Sequence, residues 1–278
     1  MMAEDVYEPT VSVIIPTVNA EATIKELLDS LFEVDYDKQK LEVIVVDGGS
    51  TDKTRDIVQK YSVKLIIERR KGINIARNIG VKNSQGEILV FTDSDCVVPR
   101  DWIKKIVENF KDQKVGCLGG NTLRYKDDFI SNYADNSIMP VLRRFKKREI
   151  LNNVGAFFLF PAGCNMAFRR DVLEKMNGFD EKIRYGFDED ELVERICKSG
   201  YKMVLDPEVI IKHQHRGTLK ALLKQNFSYG RGGSLLLKNK VKGRFSTWIL
   251  STLILFLAWL IASFSLIFLT IMVNALFF

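Results

Sequence analysis

No two of the four cysteines, Cys96, Cys117, Cys164 and Cys197, stand in a C-x-x-C spacing. That removes the usual zinc site and disulfide framework and leaves reduced thiols as the expectation. The first ten residues, MMAEDVYEPT, are acidic and have no apolar core, so no cleavable leader is expected. Neither a Gly-, Ser- or Pro-rich linker nor an internal repeat divides the chain. No basic groove interleaved with aromatics and no recognition-helix motif appears, which argues against a nucleic-acid partner. From Phe245 to Phe278 there is no Asp, Glu, Lys, Arg or His at all. A bilayer core needs only about 20 helical residues, so this segment is expected to span a membrane. Tilt, an interfacial continuation or a short second pass would absorb its excess length.

The charge that is present sits mostly upstream. The chain of 278 residues carries a formal net charge of +6, and Lys238, Lys240, Lys242 and Arg244 crowd the stretch just before the uncharged run. Basic residues beside a span stay cytoplasmic and are drawn to anionic lipid. The expected organisation is therefore a cytoplasmic domain over residues 1–235, a basic juxtamembrane segment over 236–244 and a transmembrane segment over 245–278, at the cell membrane.

Alternation dominates the first half. Apolar runs at 11–16, 41–47, 63–68, 87–93 and 115–120 read as strands, and helical spacing appears at Glu21–Phe32, in a helix to about Lys60 with Ser50 or Thr51 as its cap, at Ile73–Lys82 and after Pro99 and Asp101. Near-continuous apolar strands separated by helices imply an α/β fold, a mostly parallel sheet covered on both faces. Ligands in such sheets bind beyond the carboxyl ends of the strands. Asp47 and the pair Asp93 and Asp95 of EILVFTDSDC lie on that rim. Two carboxylates one residue apart repel each other unless a cation lies between them. Mg²⁺ or Mn²⁺ prefers a few carboxylates together with substrate phosphate oxygens. A solvated acidic turn is the other reading of D-x-D taken alone.

Six segments in order, VSVIIPTVNAEATI, VIVVDGGSTDKT, KGINIARNIGV, EILVFTDSDC, PAGCNMAFRRDVLEKMNGFDE and GFDEDELVERICKSGYKMVLDPEVIIKHQH, together resemble family 2 glycosyltransferases of the Rossmann-like GT-A fold. The resemblance spans roughly residues 10–235. It implies an inverting hexosyltransferase acting from a nucleotide-diphosphate sugar, with Mn²⁺ or Mg²⁺ bridging diphosphate and acids. It also implies roles. Pro16 and Thr17 match positions lining the base pocket, and Asp47 matches the aspartate that binds base or ribose, a helix cap being the alternative. Arg77 and Asn78 match the helix facing the diphosphate, a surface salt bridge being the alternative for Arg77. Asp95 matches the direct metal ligand, with Asp93 nearer the ribose, and His213 a further contact to metal or diphosphate. Asn165 matches the acceptor side. Arg231 matches a basic residue on a flexible glycine-flanked segment over the diphosphate.

The family's general base lies in an acidic pair that is reversed here. Aligning on Leu192 and Arg195 puts Glu189 at the base position, with Asp188 and Asp190 as alternatives. Clustered carboxylates in a cleft raise one another's pKa, which suits a base. A membrane-tethered site beside the basic and aromatic stretch 139–160 implies an acceptor at the bilayer, a polyprenyl phosphate or lipid-linked glycan, a soluble or polysaccharide acceptor being the alternative. A nucleotidyltransferase would share the sheet and the acids. It would also show a Gly-rich phosphate loop after the first strand, and PTVNAEAT is not one.

Overall fold

The computed structural model of the chain describes residues 7–129, 131–132, 144–152, 161–183, 186, 188–215, 218, 220–221, 224 and 227. Four strands run parallel: β1 (Val11–Thr17), β2 (Leu41–Asp47), β3 (Lys64–Ile67) and β4 (Ile88–Phe91). Between them lie α1 (Ile24–Phe32), α2 (Thr54–Val58) and α3 (Ile73–Lys82), and α4 (Trp102–Glu108) follows β5 (Cys96–Val97). The rest comprises β6 (Val115–Arg124), β7 (Glu149–Leu151), β8 (Met166–Arg169), α5 (Arg170–Lys175), α6 (Asp188–Lys198) and β9 (Lys202–His213). The sheet order is β3-β2-β1-β4-β8-β6-β9-β5, with β7 also paired to β9.

Alternate residues of each central strand serve opposite faces, as a pleat requires. Val13 and Ile15 of β1, with Ile88 and Val90 of β4, join Ile24, Leu27, Leu28 and Leu31 of α1 on one face. Ile14, Leu89 and Phe91 join Leu192, Val193 and Ile196 of α6 on the other. α3 packs on β1 from that second face. A Cβ on Gly80 would collide with the Ile14 side chain, so glycine sets the closeness of helix and strand.

Direction is what builds the rim. β8 runs antiparallel to β4, with Phe91 opposite Met166, so residues 161–165 enter the sheet where β4 leaves it. β9 is parallel to β6 and ends at His213 beside Cys96 of β5. The carboxyl ends of β1, β2, β4 and β9 and the entry to β8 therefore face one side. Pro16 is tolerated in central β1 because Ile14, two residues earlier, accepts the last bond on the β4 side, from Thr92 N–H at 3.3 Å. The next donor on that side would be residue 16 itself, so proline ends the β1–β4 ladder at this point.

The sheet is mixed rather than uniformly parallel, because β8 inserts against the direction of its neighbours. The helix expected from Glu21 begins at Ile24, after a turn over 21–23. Ser50 does not cap α2. It donates to Asp47, and Asp52 accepts the Thr54 N–H at 3.0 Å. All four cysteines are buried and free. Among the described residues no helix is long and apolar enough to cross a membrane. Arg231, the basic segment 236–244, the uncharged segment 245–278 and much of the stretch 139–160 lie outside the described residues.

Candidate active site

The acids after β4 meet β9 through β5. Pairing of Cys96 with His213 brings Asp95 Oδ1 to 3.3 Å from His213 Nε2, and the Gln214 N–H donates to Asp95 O at 2.8 Å. His213 is buried, its Nδ1 finds no hydrogen-bond partner among the described residues, and His215 lies 5.1 Å away, ring to ring. The Asp95 side chain is 38 % exposed, which leaves it open to a ligand. Asp95, Cys96 and His213 present donor atoms within 4.8 Å of one another. Cys96 is the poor member. Burial above all, then its neighbour Cys164, holds its thiol well above the usual range, and a protonated thiol does not suit a hard cation. The carboxylate and imidazole do fit Mn²⁺ or Mg²⁺ as the few protein donors such an ion takes.

Asp93 links this pair to a second cluster. Burial, then the charge of Asp95, pushes its carboxyl up, while Arg77 and His213 pull it down and Asp188 raises it. Two acids in conflict behind one strand is the electrostatic situation a divalent cation relieves.

The second cluster joins α3 to the start of α6. Arg77 is 1 % exposed. Its Nη1 donates to Asp188 Oδ2 and to Asn74 Oδ1 at 3.4 Å. Its Nη2 reaches Glu189 Oε1 and the Gly163 carbonyl, each at 3.4 Å, and its Cζ lies 5.2 Å from the centre of the Phe179 ring. Burial works against the cation, but Asp188, Glu189 and Asp93 outweigh it and raise its pKa. One cation faces two carboxylates, so one acid keeps an affinity for a proton. That acid is Glu189: burial first, then the charge of Asp188, lifts it to about 7. Its side chain is 16 % exposed against 3 % for Asp188. Asp188 is thus tied to Arg77, while Glu189 combines a raised pKa with access. Asp190 is buried on the same turn.

Other residues singled out in the sequence take different positions. Thr17 is buried and its Oγ1 has no partner among the described residues; Pro16 precedes it on the rim. Asp47 is fully buried and accepts from Ser50 N–H at 3.1 Å, from the Ser50 hydroxyl and from Arg55 Nε at 2.5 Å, so it is engaged as a turn cap and ion pair. Asn78 is turned away from the rim: it donates to Phe179 O at 2.9 Å and accepts from Phe179 N–H at 2.9 Å. Asn165, placed by the resemblance on the acceptor side, is 1 % exposed. Its amide donates to Asn121 O at 2.8 Å and Val209 O at 2.9 Å and accepts from Trp102 Nε1 at 3.1 Å, which commits it to the scaffold. Asn74, Gly163 and Phe179 were not foreseen. A Cβ on Gly163 would collide with Glu189 Oε1 and Arg77 Nη2, yet nothing local in PAGCN announces that contact.

Residues 12–176 match the Glycosyl transferase family 2, and residues 160–216 match a family described as the N-terminal domain of galactosyltransferase. The glycosyltransferase AglE of Haloferax volcanii is 31 % identical over 81 % of this chain and 73 % of its own. A Methanococcus voltae protein, dolichyl N-acetyl-alpha-D-glucosaminyl phosphate 3-beta-D-2,3-diacetamido-2,3-dideoxy-beta-D-glucuronosyltransferase, is 25 % identical over 85 % of this chain and 75 % of its own. Among solved structures, the mannosyltransferase PcManGT of Pyrobaculum calidifontis, in complex with GDP-Man and Mn²⁺, superposes with a TM-score of 0.60 at 24 % identity, covering 91 % of this chain and 81 % of that one. TarS of S. aureus, residues 1–349 in complex with UDP-GlcNAc, gives 0.61 at 21 % identity, covering 84 % and 67 %. These likenesses make the architecture GT-A-like. A rim that gathers a D-x-D pair and an acid of raised pKa suits sugar transfer from a nucleotide sugar, and the family match spans the strands and helices that build it: the chain belongs to glycosyl transferase family 2 and is a glycosyltransferase.

Proposed function

We propose that this chain is an inverting, metal-dependent hexosyltransferase that moves a sugar from a nucleotide-diphosphate sugar to a membrane-associated acceptor, a polyprenyl phosphate or lipid-linked glycan. The observation that carries the reading is the pairing of Asp95 with His213 at 3.3 Å after β4, in a domain that also holds Glu189 against Arg77 at 3.4 Å. Asp93 senses the charges of both groups. One rim thus offers a place for a leaving diphosphate and, within electrostatic reach, a base.

Glu189 takes the proton of the acceptor hydroxyl, for which a pKa near 7 is well matched. The oxygen then attacks the anomeric carbon as the bond to the diphosphate breaks, and a single displacement inverts that carbon. Asp95, Asp93 and His213 would hold Mn²⁺ or Mg²⁺, which supplies neutralisation of charge on the departing diphosphate. Pro16, Thr17 and Asp47 stand at the rim positions for base and ribose, and Asp47 would have to exchange a bond to Ser50 or Arg55 to reach a ribose. Arg231, outside the described residues, belongs in this reading to a segment over bound donor. Support for the lipid acceptor is the uncharged run 245–278 behind a basic segment, together with the dolichyl phosphate in the name of the Methanococcus relative. The catalytic domain then faces the cytoplasm from the cell membrane.

The test uses the purified full chain in detergent, a panel of UDP-, GDP- and dTDP-sugars, Mn²⁺ or Mg²⁺, and either a polyprenyl phosphate or a soluble glycan. Transfer to the lipid with inverted product is expected, and Asp95→Ala should abolish metal-dependent donor binding. A protein that binds no donor, with or without metal, sinks the reading. Exclusive transfer to the soluble glycan, or release of the protein from membranes by alkaline carbonate, sinks the lipid acceptor.

A further inference from the structure

We infer that Arg77 is a positioning residue for the base, holding the acids at the start of α6 rather than the donor's diphosphate. The inference rests on the glycosyltransferase reading and concerns the same site.

Three features of α3 carry it. Asn74, Arg77 and Asn78 occupy one side of the helix, because positions three and four apart share a face. Asn74 donates to Asp180 O and Ile183 O, each at 3.0 Å, and Asn78 holds Phe179 by both its N–H and its carbonyl. The segment 179–183, which leads towards the acids, is therefore fastened to α3 along its length. Between the two asparagines Arg77 extends to Asp188 and Glu189 with different nitrogens and lies over Phe179.

Exposure decides between the two roles. At 1 % exposed, the guanidinium directs Nη1 and Nη2 each at a carboxylate and a scaffold oxygen, and Nε, which has no partner among the described residues, is itself buried, so no donor faces the open rim. A diphosphate would have to break the pairs that compensate the buried Asp188 and the partly buried Glu189. The planar fork matters as well as the charge, since it addresses two acids at fixed spacing where an ammonium is a single point. Gly163 closes the arrangement from the other side: its carbonyl accepts from Nη2, and any side chain there would enter the space of the pair. Arg77 thereby acts through Glu189.

The experiment compares Arg77→Lys, Arg77→Gln and the double variant Arg77→Gln with Asp188→Asn, in the full chain with Mn²⁺ and the donor the wild type uses. It measures donor dissociation constant, KM and kcat separately. Displacing a base by about 1 Å costs roughly 100-fold, so Arg77→Lys should lose roughly 100-fold in kcat with donor affinity kept within about threefold. The double variant, in which one buried carboxylate no longer needs a partner, should exceed Arg77→Gln in kcat by roughly 10-fold or more. Because the double variant is charge-balanced, it also keeps the question open to measurement if Arg77→Gln does not fold. Donor affinity falling in step with kcat in Arg77→Lys, an unchanged kcat, or a double variant no better than Arg77→Gln each overturns the inference. If the wild type itself uses no donor, the glycosyltransferase reading has failed instead.

Discussion

The two halves of this domain share apolar packing but differ in how many buried amides and guanidinium groups hold their backbone. β1 to β4 and their helices form a parallel layer whose central residues, Val13, Ile14, Ile15, Val45 and Val90 among them, are fully buried and apolar. From β6 onward the core is as apolar, with Phe168, Leu173, Ile196 and Leu205 fully buried, but polar side chains also grip backbone. Asn121 bonds both N–H and carbonyl of Phe145, Asn165 bridges β6 and β9, Arg169 donates to Phe110 O at 2.6 Å, and Arg195 donates to Met176 O and to Gly178 O. Packing built on transfer free energy tolerates change by degrees. A buried polar clamp loses a whole interaction at once and leaves its partners unpaired. The base stands where the halves meet, with Arg77 from the first and the acids from the second.

The largest expected effects strike that junction. Glu189→Gln should lower kcat by about 10²–10⁴-fold, the usual contribution of a general base, while sparing donor affinity; normal turnover in that variant removes Glu189 from the role. Gly163→Ala comes next. Its methyl must displace Glu189 Oε1 or Arg77 Nη2, and roughly 100-fold in kcat is expected with a folded protein by circular dichroism. A Gly163→Ala enzyme of wild-type rate would show that the pair moves freely. Acidity gives a test with opposite signs for two observables. Glu189 is lifted from its ordinary 4.5 to about 7, so kcat/KM should fall as pH drops below about 7 and the base takes up its proton. In the same window the folded chain holds a proton that the unfolded chain has released, so this group's contribution to stability should decline as pH rises from 4.5 to about 7. Denaturant melts at fixed ionic strength, set beside the rate profile, check both. Parallel rather than opposed trends would remove Glu189 as the group responsible.

How much of this could be read in advance differs between the halves for a physical reason. β2 at Leu41–Asp47 and α3 at Ile73–Lys82 stand at the bounds their patterns predict, because an apolar run and a helical period are local signals. β5 and β7, two and three residues long, have no period to show and exist only through pairing with β9. The acids were visible as candidates. Their partner was not, since Arg77 and Asp188 lie 111 residues apart and only the closeness of α3 to β1, set at Gly80, brings them together. Asn78 and Asn165 show the reverse ambiguity: a polar residue inside a family motif reads as a ligand contact, yet a buried amide is equally suited to holding backbone, and here both do. Nothing in the order of residues says which oxygen it will meet.

That last point yields the smallest and sharpest test of the contrast between halves. Asn165→Ala removes one side chain from the clamped layer and orphans Asn121 O, Val209 O and Trp102 Nε1–H together. At about 1–3 kcal/mol for each buried group left unsatisfied, a loss of about 3 kcal/mol or more is expected. Ile15→Val, fully buried in the parallel layer, removes one methyl group and should cost about 0.5–1.5 kcal/mol. Chemical denaturation with matched m-values compares them directly. Equal losses would mean that water or backbone shift satisfies the groups around Asn165. A larger loss at Asn165 shows that a single buried amide carries more stability here than a single core methyl group.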